Sequence, residues 1–400
     1  MRSIYHFFDS ISAKFRKPHT PFIDSQPVAI VSKIILRFTR HYYDVAHPNQ
    51  FILKFERFAL PKEILRPEND RIIPYYVNCR YIVFVELPKP LRAYGSVTAP
   101  LSQINIFEEA IRTIQVPISE LHKLAEKCSS LTCPVVFLWH GTRCGSTLLS
   151  KLVAQANPKI MCLSEPPANF WEVEYDTEAS TDEKVAIVKS LLKVYFRSYP
   201  DVEAVLVKPT MLREDTLHRC LRDLPHIRHV YLGRRNKLDT IASYVKALRL
   251  GFVVMQVYLG ANFPWLLRMT RLQVFESPNE IQELAKKAGL QNTLTELTSK
   301  FWAERELKLK RSKFPFDNIF FFEDLIIDAK PYVREICKLL KVDCPNLGYV
   351  HDEMKHDSQA GTPLARDVIE GTGRMATAEL SDPNIKRRVL KFIDIVCSTE

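Results

Sequence analysis

From about residue 131 onward, short apolar segments alternate with segments of helical periodicity. The apolar segments are 134–139, 159–163, 204–207, 229–232 and 318–322. The helical segments are 147–156, 238–250 and 332–340. Continuous apolar strands are typical of a parallel sheet that is buried on both faces by helices. The pattern therefore predicts an α/β fold over residues 131–400, with a parallel sheet and helices on both faces.

Residues 1–130 follow a different pattern, in which prolines recur and strand and helix signals do not alternate. Tyr81–Leu87 is predicted as a strand because it is rich in β-branched and aromatic residues. Glu120–Lys127 is predicted as a helix with Ser119 at its N-cap. No residue pattern in this region points to chemistry. We predict a mixed α+β N-terminal extension, distinct from the α/β domain of residues 131–400.

Composition and charge limit the classes of protein that need to be considered. The chain is 46% hydrophobic and 26% charged, which is typical of a globular protein and excludes a disordered or collagen-like chain. Its net charge is +10, and residues 1–40 hold seven Lys and Arg against two Asp and Glu. Such a surplus favours an anionic partner, but charge alone does not choose among phosphate ligands, nucleic acid and membranes. The nine Cys form no CxxC pair, which favours reduced thiols in a reducing compartment.

The first 17 residues leave two interpretations open. Apolar residues fall on one helical face, with basic residues around it: Ile4, Phe7, Phe8, Ile11 and Phe15, and Arg2, Lys14, Arg16 and Lys17. The helix either packs on its own domain or makes a peripheral membrane contact, as a surface anchor or a mitochondrial presequence. The longest uncharged run, Leu250–Leu267, is shorter than the roughly 20 apolar residues of a membrane span. It is predicted to be buried core.

A glycine-bracketed loop follows the first apolar strand of the α/β region and leads into a helix. It reads Gly141, Thr142, Arg143, Cys144, Gly145, Ser146, Thr147. Glycines let backbone N–H groups approach an anion, and the helix N-terminus and two hydroxyls add donors. The loop is not a Walker A motif, because three residues separate the glycines and Ser146 stands where that motif has Lys. A phosphate cradle is predicted, with an ordinary tight turn left as the alternative.

This loop resembles the 5′-phosphosulfate loop of the sulfotransferase family, which has Arg or Lys within the loop, then Gly and two Ser/Thr residues. Residues 230–244 are similar to that family's 3′-phosphate motif, and Arg235 and Ser243 fall on its two phosphate contacts. Residues 319–325, which end in Glu-Asp-Leu, resemble the family's late strand and the turn after it. The resemblance covers about residues 131–345. It implies a P-loop NTPase-like fold of the sulfotransferase type, with 3′-phosphoadenosine 5′-phosphosulfate as co-substrate.

The resemblance also implies roles for individual residues. Glu165, followed by two prolines, resembles the base of carbohydrate-type members, and Arg143 would stabilise the transferring group. The Lys-Thr-His base of cytosolic members is missing, because the corresponding positions read Val207-Lys208-Pro209-Thr210. Lys208 would then face the sulfuryl group. A solvated loop carboxylate and a surface lysine stay open as alternatives for Glu165 and Lys208.

Two further residues near the loop are given structural roles. His140 is expected to be packed or bonded to backbone, and Cys144 to be a small loop filler, because no His partner for a nucleophilic Cys is identifiable. Arg366 and Arg374 lie where the family has a loop that closes over the donor. Because the family's Arg-Lys-Gly pattern is missing there, the resemblance does not extend to these two arginines.

The predicted function is that of a sulfotransferase acting on a hydroxyl or amine acceptor, either a carbohydrate or a small molecule. No metal and no nucleic-acid partner are predicted. The alternatives are a nucleotide kinase with a degenerate phosphate loop and a non-catalytic nucleotide- or partner-binding protein. A cytoplasmic location is expected. Carbohydrate-type relatives are lumenal, so a mitochondrial or Golgi-associated location stays open.

Overall fold

A computed structural model of the 400-residue chain gives the placement of most of it. The structure describes residues 22–23, 26–37, 48–128, 133–141, 143–167, 173, 176–209, 220–221, 224, 227–248, 278–291, 293–312, 314–344, 347–358, 360 and 379–399. Several predictions from the sequence fall outside these ranges. They concern residues 1–17, Thr142, the uncharged run 250–267, Arg366 and Arg374.

The N-terminal region is built on an antiparallel sheet. After the two-residue strands β1 (Phe22–Ile23) and β2 (Gln26–Pro27), its strands are β3 (Ala29–Arg37), β4 (Phe51–Ala59), β5 (Ile72–Val77), β6 (Tyr81–Glu86) and β7 (Arg112–Pro117). They pair in the order β4-β3-β7-β6-β5. The strands are connected and followed by short helical segments. These are 3₁₀ turns at Pro48–Gln50 and Leu91–Tyr94 and the helices α1 (Pro61–Ile64), α2 (Ser102–Glu109) and α3 (Ile118–Lys127).

The second sheet is the predicted parallel one. Its strands are β8 (Val135–His140), β9 (Ile160–Ser164), β10 (Ala204–Lys208), β11 (Ile227–Gly233) and β12 (Asn318–Phe321). They are ordered β12-β11-β8-β10-β9, and every pair is parallel. The prediction of a parallel α/β sheet is therefore confirmed. The chain winds to one side of β8 with β9 and β10 and then to the other side, so β8 lies at a topological switch point.

The remaining regular elements of the described residues are helices. They are α4 (Ser146–Ala156), α5 (Thr181–Tyr195), α6 (Lys237–Leu248), α7 (Asn279–Ala288), α8 (Leu294–Ser312), α9 (Phe322–Leu325), α10 (Lys330–Leu339), α11 (Val350–Glu353) and α12 (Pro383–Ser398). Helices α6, α7, α8 and α12 form a hydrophobic cluster of their own.

The core explains why the parallel strands are apolar throughout. On β8, Val135 and Phe137 pack into a cluster with α3, α5 and the antiparallel sheet, whereas Val136 and Leu138 pack against α4 and α10. Side chains alternate across a strand, so each strand needs apolar residues at every position to fill both layers. The first cluster contains residues from both sides of residue 130. The N-terminal sheet thus shares a core with one face of the parallel sheet.

One local prediction was wrong. Ser119 was expected to cap the helix that follows β7, but α3 begins at Ile118 and Pro117 holds the cap position without a side-chain bond. The helix starts directly at the end of the strand, so Ser119 is already inside its first turn. No helix of the described residues is long and apolar enough to cross a bilayer.

Candidate active site

The loop after β8 brings the backbone close to the N-terminus of α4. The Gly141 N–H donates to the Leu232 carbonyl of β11 at 2.9 Å, which ties the start of the loop to the neighbouring strand. Gly145 has φ of 82°, and a Cβ built there would lie 2.9 Å from the Phe322 ring. Glycine is therefore required for both conformation and space. Ser146 and Thr147 follow in the first turn of α4, both buried.

Arg143 and Cys144 lie between the two glycines. Arg143 adopts a left-handed backbone conformation with φ of 57°, which is uncommon for a residue with a side chain. Cys144 is buried, and burial raises the pKa of its thiol to about 11 although hydrogen bonds from Ser146 act to lower it. The thiol is protonated at neutral pH and is a poor nucleophile. This agrees with Cys144 as a loop filler.

Glu165 and Lys208 are brought into direct contact at the ends of two adjacent strands. Ser164 and Lys208 pair in register, and the Lys208 ammonium forms an ion pair with the Glu165 carboxylate. It also lies 3.3 Å from the Ser164 hydroxyl. The side chain of Lys208 is 1% exposed and that of Glu165 14% exposed. Neither a surface lysine nor a solvated carboxylate describes these residues, so both of those alternatives are wrong.

The backbone of Glu165 is fixed from two sides. Its φ is 53°, and its N–H donates to the Lys208 carbonyl at 2.7 Å. Its carbonyl accepts from the Gln103 N–H at 3.2 Å, and the Ser164 N–H donates to the Ser102 hydroxyl at 3.2 Å. Ser102 and Gln103 are the first residues of α2, so the N-terminal region holds the turn that carries the candidate base. The sequence contained no signal for this contact, because it joins backbone groups far apart in the chain.

His140, the last residue of β8, lies beside the same pair. Its Nε2 is 2.8 Å from the Pro209 carbonyl and its Nδ1 is 3.0 Å from the Gly141 carbonyl. Burial, and then the positive charge of Lys208, lower the pKa of His140 to about 4. A neutral imidazole has one N–H and donates to one of the two carbonyls. The prediction that His140 bonds to backbone is confirmed.

A second group of charges lies at the turn between β11 and α6. The Arg235 guanidinium donates to both Asp324 oxygens at 2.6 Å and stacks 4.2 Å from the Phe321 ring centroid. Arg234 stacks on Phe322 instead, at 4.0 Å, and burial lowers its pKa. Ser243 lies in the second turn of α6 and is partly buried. The sequence placed Arg234 and Arg235 at the carboxyl edge of the sheet but did not indicate that Asp324 pairs with Arg235.

These groups share one edge of the parallel sheet. The loop follows β8, Glu165 follows β9, Lys208 ends β10, and Arg234 and Arg235 follow β11. Ligands of α/β folds bind outside the carboxyl ends of the strands at the switch point. The arrangement brings two turns to this edge, the loop after β8 and the turn after β11, with the Glu165 carboxylate and the Lys208 ammonium next to the first. Within the described residues, no His, Cys, Asp and Glu side chains group as a metal site would require.

No protein-family model matches the chain, and no curated protein was found to be similar to it.

Proposed function

We propose that this chain is a sulfotransferase that moves a sulfuryl group from 3′-phosphoadenosine 5′-phosphosulfate to a hydroxyl acceptor. The observation that carries the proposal is the Glu165–Lys208 pair, which sits beside a glycine-bracketed loop at the switch point of a parallel sheet. A base and a cation next to an anion-binding loop are what group transfer from an anionic donor requires. The five-stranded order around β8 supports the finer assignment to a P-loop-like fold of the sulfotransferase type.

The donor has two separated anionic ends, and the chain offers a turn for each. The loop of residues 141–147 would hold the 5′-phosphosulfate through backbone N–H groups, the Ser146 and Thr147 hydroxyls and the N-terminus of α4. The turn after β11 would hold the 3′-phosphate through Arg235, with Ser243 as a further donor. A guanidinium binds phosphate with two parallel hydrogen bonds, which suits Arg at this position.

The transfer step assigns a role to each charged group of the first site. The oxygen of the acceptor hydroxyl would attack sulfur while Glu165 takes the proton of that hydroxyl. The bond from sulfur to the bridging phosphate oxygen would break in line, and adenosine 3′,5′-bisphosphate would leave. Arg143 would stabilise the charge on the transferring group and on the leaving phosphate. Lys208 would hold the Glu165 carboxylate in position and add positive charge near the equatorial oxygens.

The test is calorimetric titration of the full chain with adenosine 3′,5′-bisphosphate and with ATP. We expect the bisphosphate to bind and ATP to bind at least about tenfold more weakly, because the loop has no lysine at the Walker A position. Arg143→Ala should weaken binding of the bisphosphate. Arg80→Ala removes an arginine from an exposed ion pair with Glu178, distant in sequence from the loop, and serves as the control.

Two outcomes would contradict the proposed function, and a third would contradict only the role of Glu165 in it. Tighter binding of ATP than of the bisphosphate would favour a nucleotide kinase. Binding of neither would favour a partner-binding protein. If Glu165→Gln binds the bisphosphate normally and also transfers sulfate normally to an acceptor found by screening, Glu165 is not the base.

A further inference from the structure

Carboxylates of the chain itself already occupy the turn after β11, which is proposed above to hold the 3′-phosphate. The two oxygens of Asp324 accept one hydrogen bond each from the Nη1 and Nη2 atoms of Arg235, both at 2.6 Å. The Tyr332 hydroxyl donates to the same carboxylate at 3.2 Å. One face of the guanidinium lies against Phe321. The pair therefore fills the Nη1–Nη2 edge of Arg235, through which a guanidinium can bind a phosphate bidentately.

Glu323 occupies the backbone donors of the same turn. Its carboxylate accepts from the N–H groups of Arg235 at 3.0 Å and of Asn236 at 3.1 Å, just before the first residue of α6. Burial acts to raise the pKa of Glu323, but these hydrogen bonds outweigh it and the pKa lies below its usual value. Hydrogen bonding to Arg235 likewise lowers the pKa of Asp324. Both groups are carboxylates at neutral pH.

The two carboxylates differ in how firmly they are held. Glu323 accepts from two backbone N–H groups, which cannot turn away. Asp324 and Arg235 have side chains that are 45% and 52% exposed, and exposed ion pairs are weak because water and salt screen them. A phosphate dianion carries more charge than a carboxylate and forms the same two parallel hydrogen bonds. Of the two, Asp324 is the one that an incoming phosphate would replace.

We propose that Asp324 is an intramolecular competitor for Arg235 that sets the specificity of the second anion site. A ligand with a phosphate at this position displaces Asp324, whereas a ligand with a hydroxyl there leaves the Arg235–Asp324 pair closed and gains nothing from Arg235. Glu323 stays on the backbone N–H groups in both cases. The inference rests on the proposed function, because it takes the turn after β11 as the site of the second phosphate.

The test compares two ligands on two variants that remove one carboxylate each. The variant of interest is Asp324→Asn, and the ligands are adenosine 3′,5′-bisphosphate and AMP, which lacks the second phosphate. The matched control is Glu280→Gln, because Glu280 forms an equally exposed pair with Arg311, 43% and 47% exposed, also through both guanidinium Nη atoms. We expect Asp324→Asn to bind the bisphosphate about three- to tenfold more tightly than the wild type, because an exposed ion pair is a weak competitor, and to bind AMP with unchanged affinity. Glu280→Gln should match the wild type for both ligands.

Arg235→Ala checks that the gain acts through the arginine. In that background Asp324→Asn should produce no gain. If the wild type binds the bisphosphate but Asp324→Asn binds it equally or more weakly, the competitor role is wrong while the proposed function stands. A gain that is equal for AMP and the bisphosphate would reflect general charge and would also overturn the proposal. If the wild type does not bind the bisphosphate, the proposed function fails and this inference fails with it.

Discussion

Lys208–Glu165 and Arg235–Asp324 are both ion pairs at the carboxyl edge of the same sheet, yet their surroundings differ. The first is almost completely buried and lies next to His140 and the loop after β8. The second is about half exposed and is stacked on an aromatic ring. A buried pair is costly to break, because the remaining charge stays out of water without a partner, whereas an exposed pair separates easily. We infer that the first pair is a fixed part of the site and that the second can open.

The backbone supports the same distinction. Glu165 is held in a left-handed conformation by hydrogen bonds to Lys208 and Gln103, and Pro166 and Pro167 follow it. The Pro167 carbonyl accepts from the Tyr195 hydroxyl at 2.6 Å. Strained residues that persist are over-determined by their surroundings and are concentrated at functional sites. Asp324 lies in the short helix α9 and does not have a positive φ, and its carboxylate is bonded to Arg235 and Tyr332.

Breaking the buried pair should have the largest effect. Lys208→Met leaves the Glu165 carboxylate buried and unpaired, and we expect it to lower the free energy of unfolding by about 3–5 kcal/mol. Urea or guanidinium unfolding measures this change. Arg235→Met makes the same change at the exposed pair and should produce a far smaller shift of the unfolding midpoint.

A double variant separates the charge effect from lost packing. Lys208→Met with Glu165→Gln leaves no unpaired charge, so it should be less destabilised than Lys208→Met alone. If the two variants are equally unstable, packing of the lysine stem explains the loss. If Lys208→Met is no less stable than Arg235→Met, the contrast between the two pairs is mistaken.

The second prediction concerns the pH dependence of stability that His140, next to the buried pair, should produce. The pKa of His140 is about 4 in the folded chain against about 6.5 when unfolded, so the unfolded chain binds a proton first as pH falls. The contribution of His140 to the free energy of unfolding is therefore complete above about pH 6.5 and is lost as the pH falls toward about 4. We expect a loss of about 1–2 kcal/mol between pH 7 and pH 5.

The control for this prediction is His140→Gln, which does not titrate in this range. Unfolding free energies measured at pH 7, 6 and 5 should fall less steeply for His140→Gln than for the wild type. Parallel pH profiles would mean that His140 is not the group whose protonation opposes folding.

Local signals made much of the fold and part of the site predictable. The apolar runs from residue 134 onward predicted the parallel strands, because a strand buried on both faces needs apolar residues throughout. The loop was recognisable from its two glycines, because glycine is needed where the local backbone conformation or packing excludes a side chain. At Gly145 the backbone has a positive φ and a Cβ would contact Phe322. Placement at strand ends also brought Glu165 and Lys208 to the same edge of the sheet.

Long-range contacts were not predictable in the same way. The Glu165–Lys208 pair joins residues 43 positions apart and depends on which strands are neighbours, which spacing alone does not reveal. Ser102 and Gln103 reach the turn at Glu165 from a helix of the N-terminal region, where no pattern marked them. Asp324 was visible only as part of a motif, and its bond to Arg235 depends on side-chain conformation. Ser119 was misassigned as a cap because strand and helix meet without a loop.

The smallest expected effect belongs to the stability of the exposed pair. Asp324→Asn should keep its melting temperature within about 2 °C of the wild type, as should Glu280→Gln, because exposed pairs contribute little. Thermal unfolding followed by circular dichroism measures both. This result distinguishes two roles for the Arg235–Asp324 pair. If the pair opens when ligand binds, it contributes little to stability. If it is a structural support that holds the turn after β11 against α9, its loss lowers the melting temperature. A much larger fall for Asp324→Asn than for Glu280→Gln would show that Arg235 is anchored, and the two pairs would then differ in exposure but not in role.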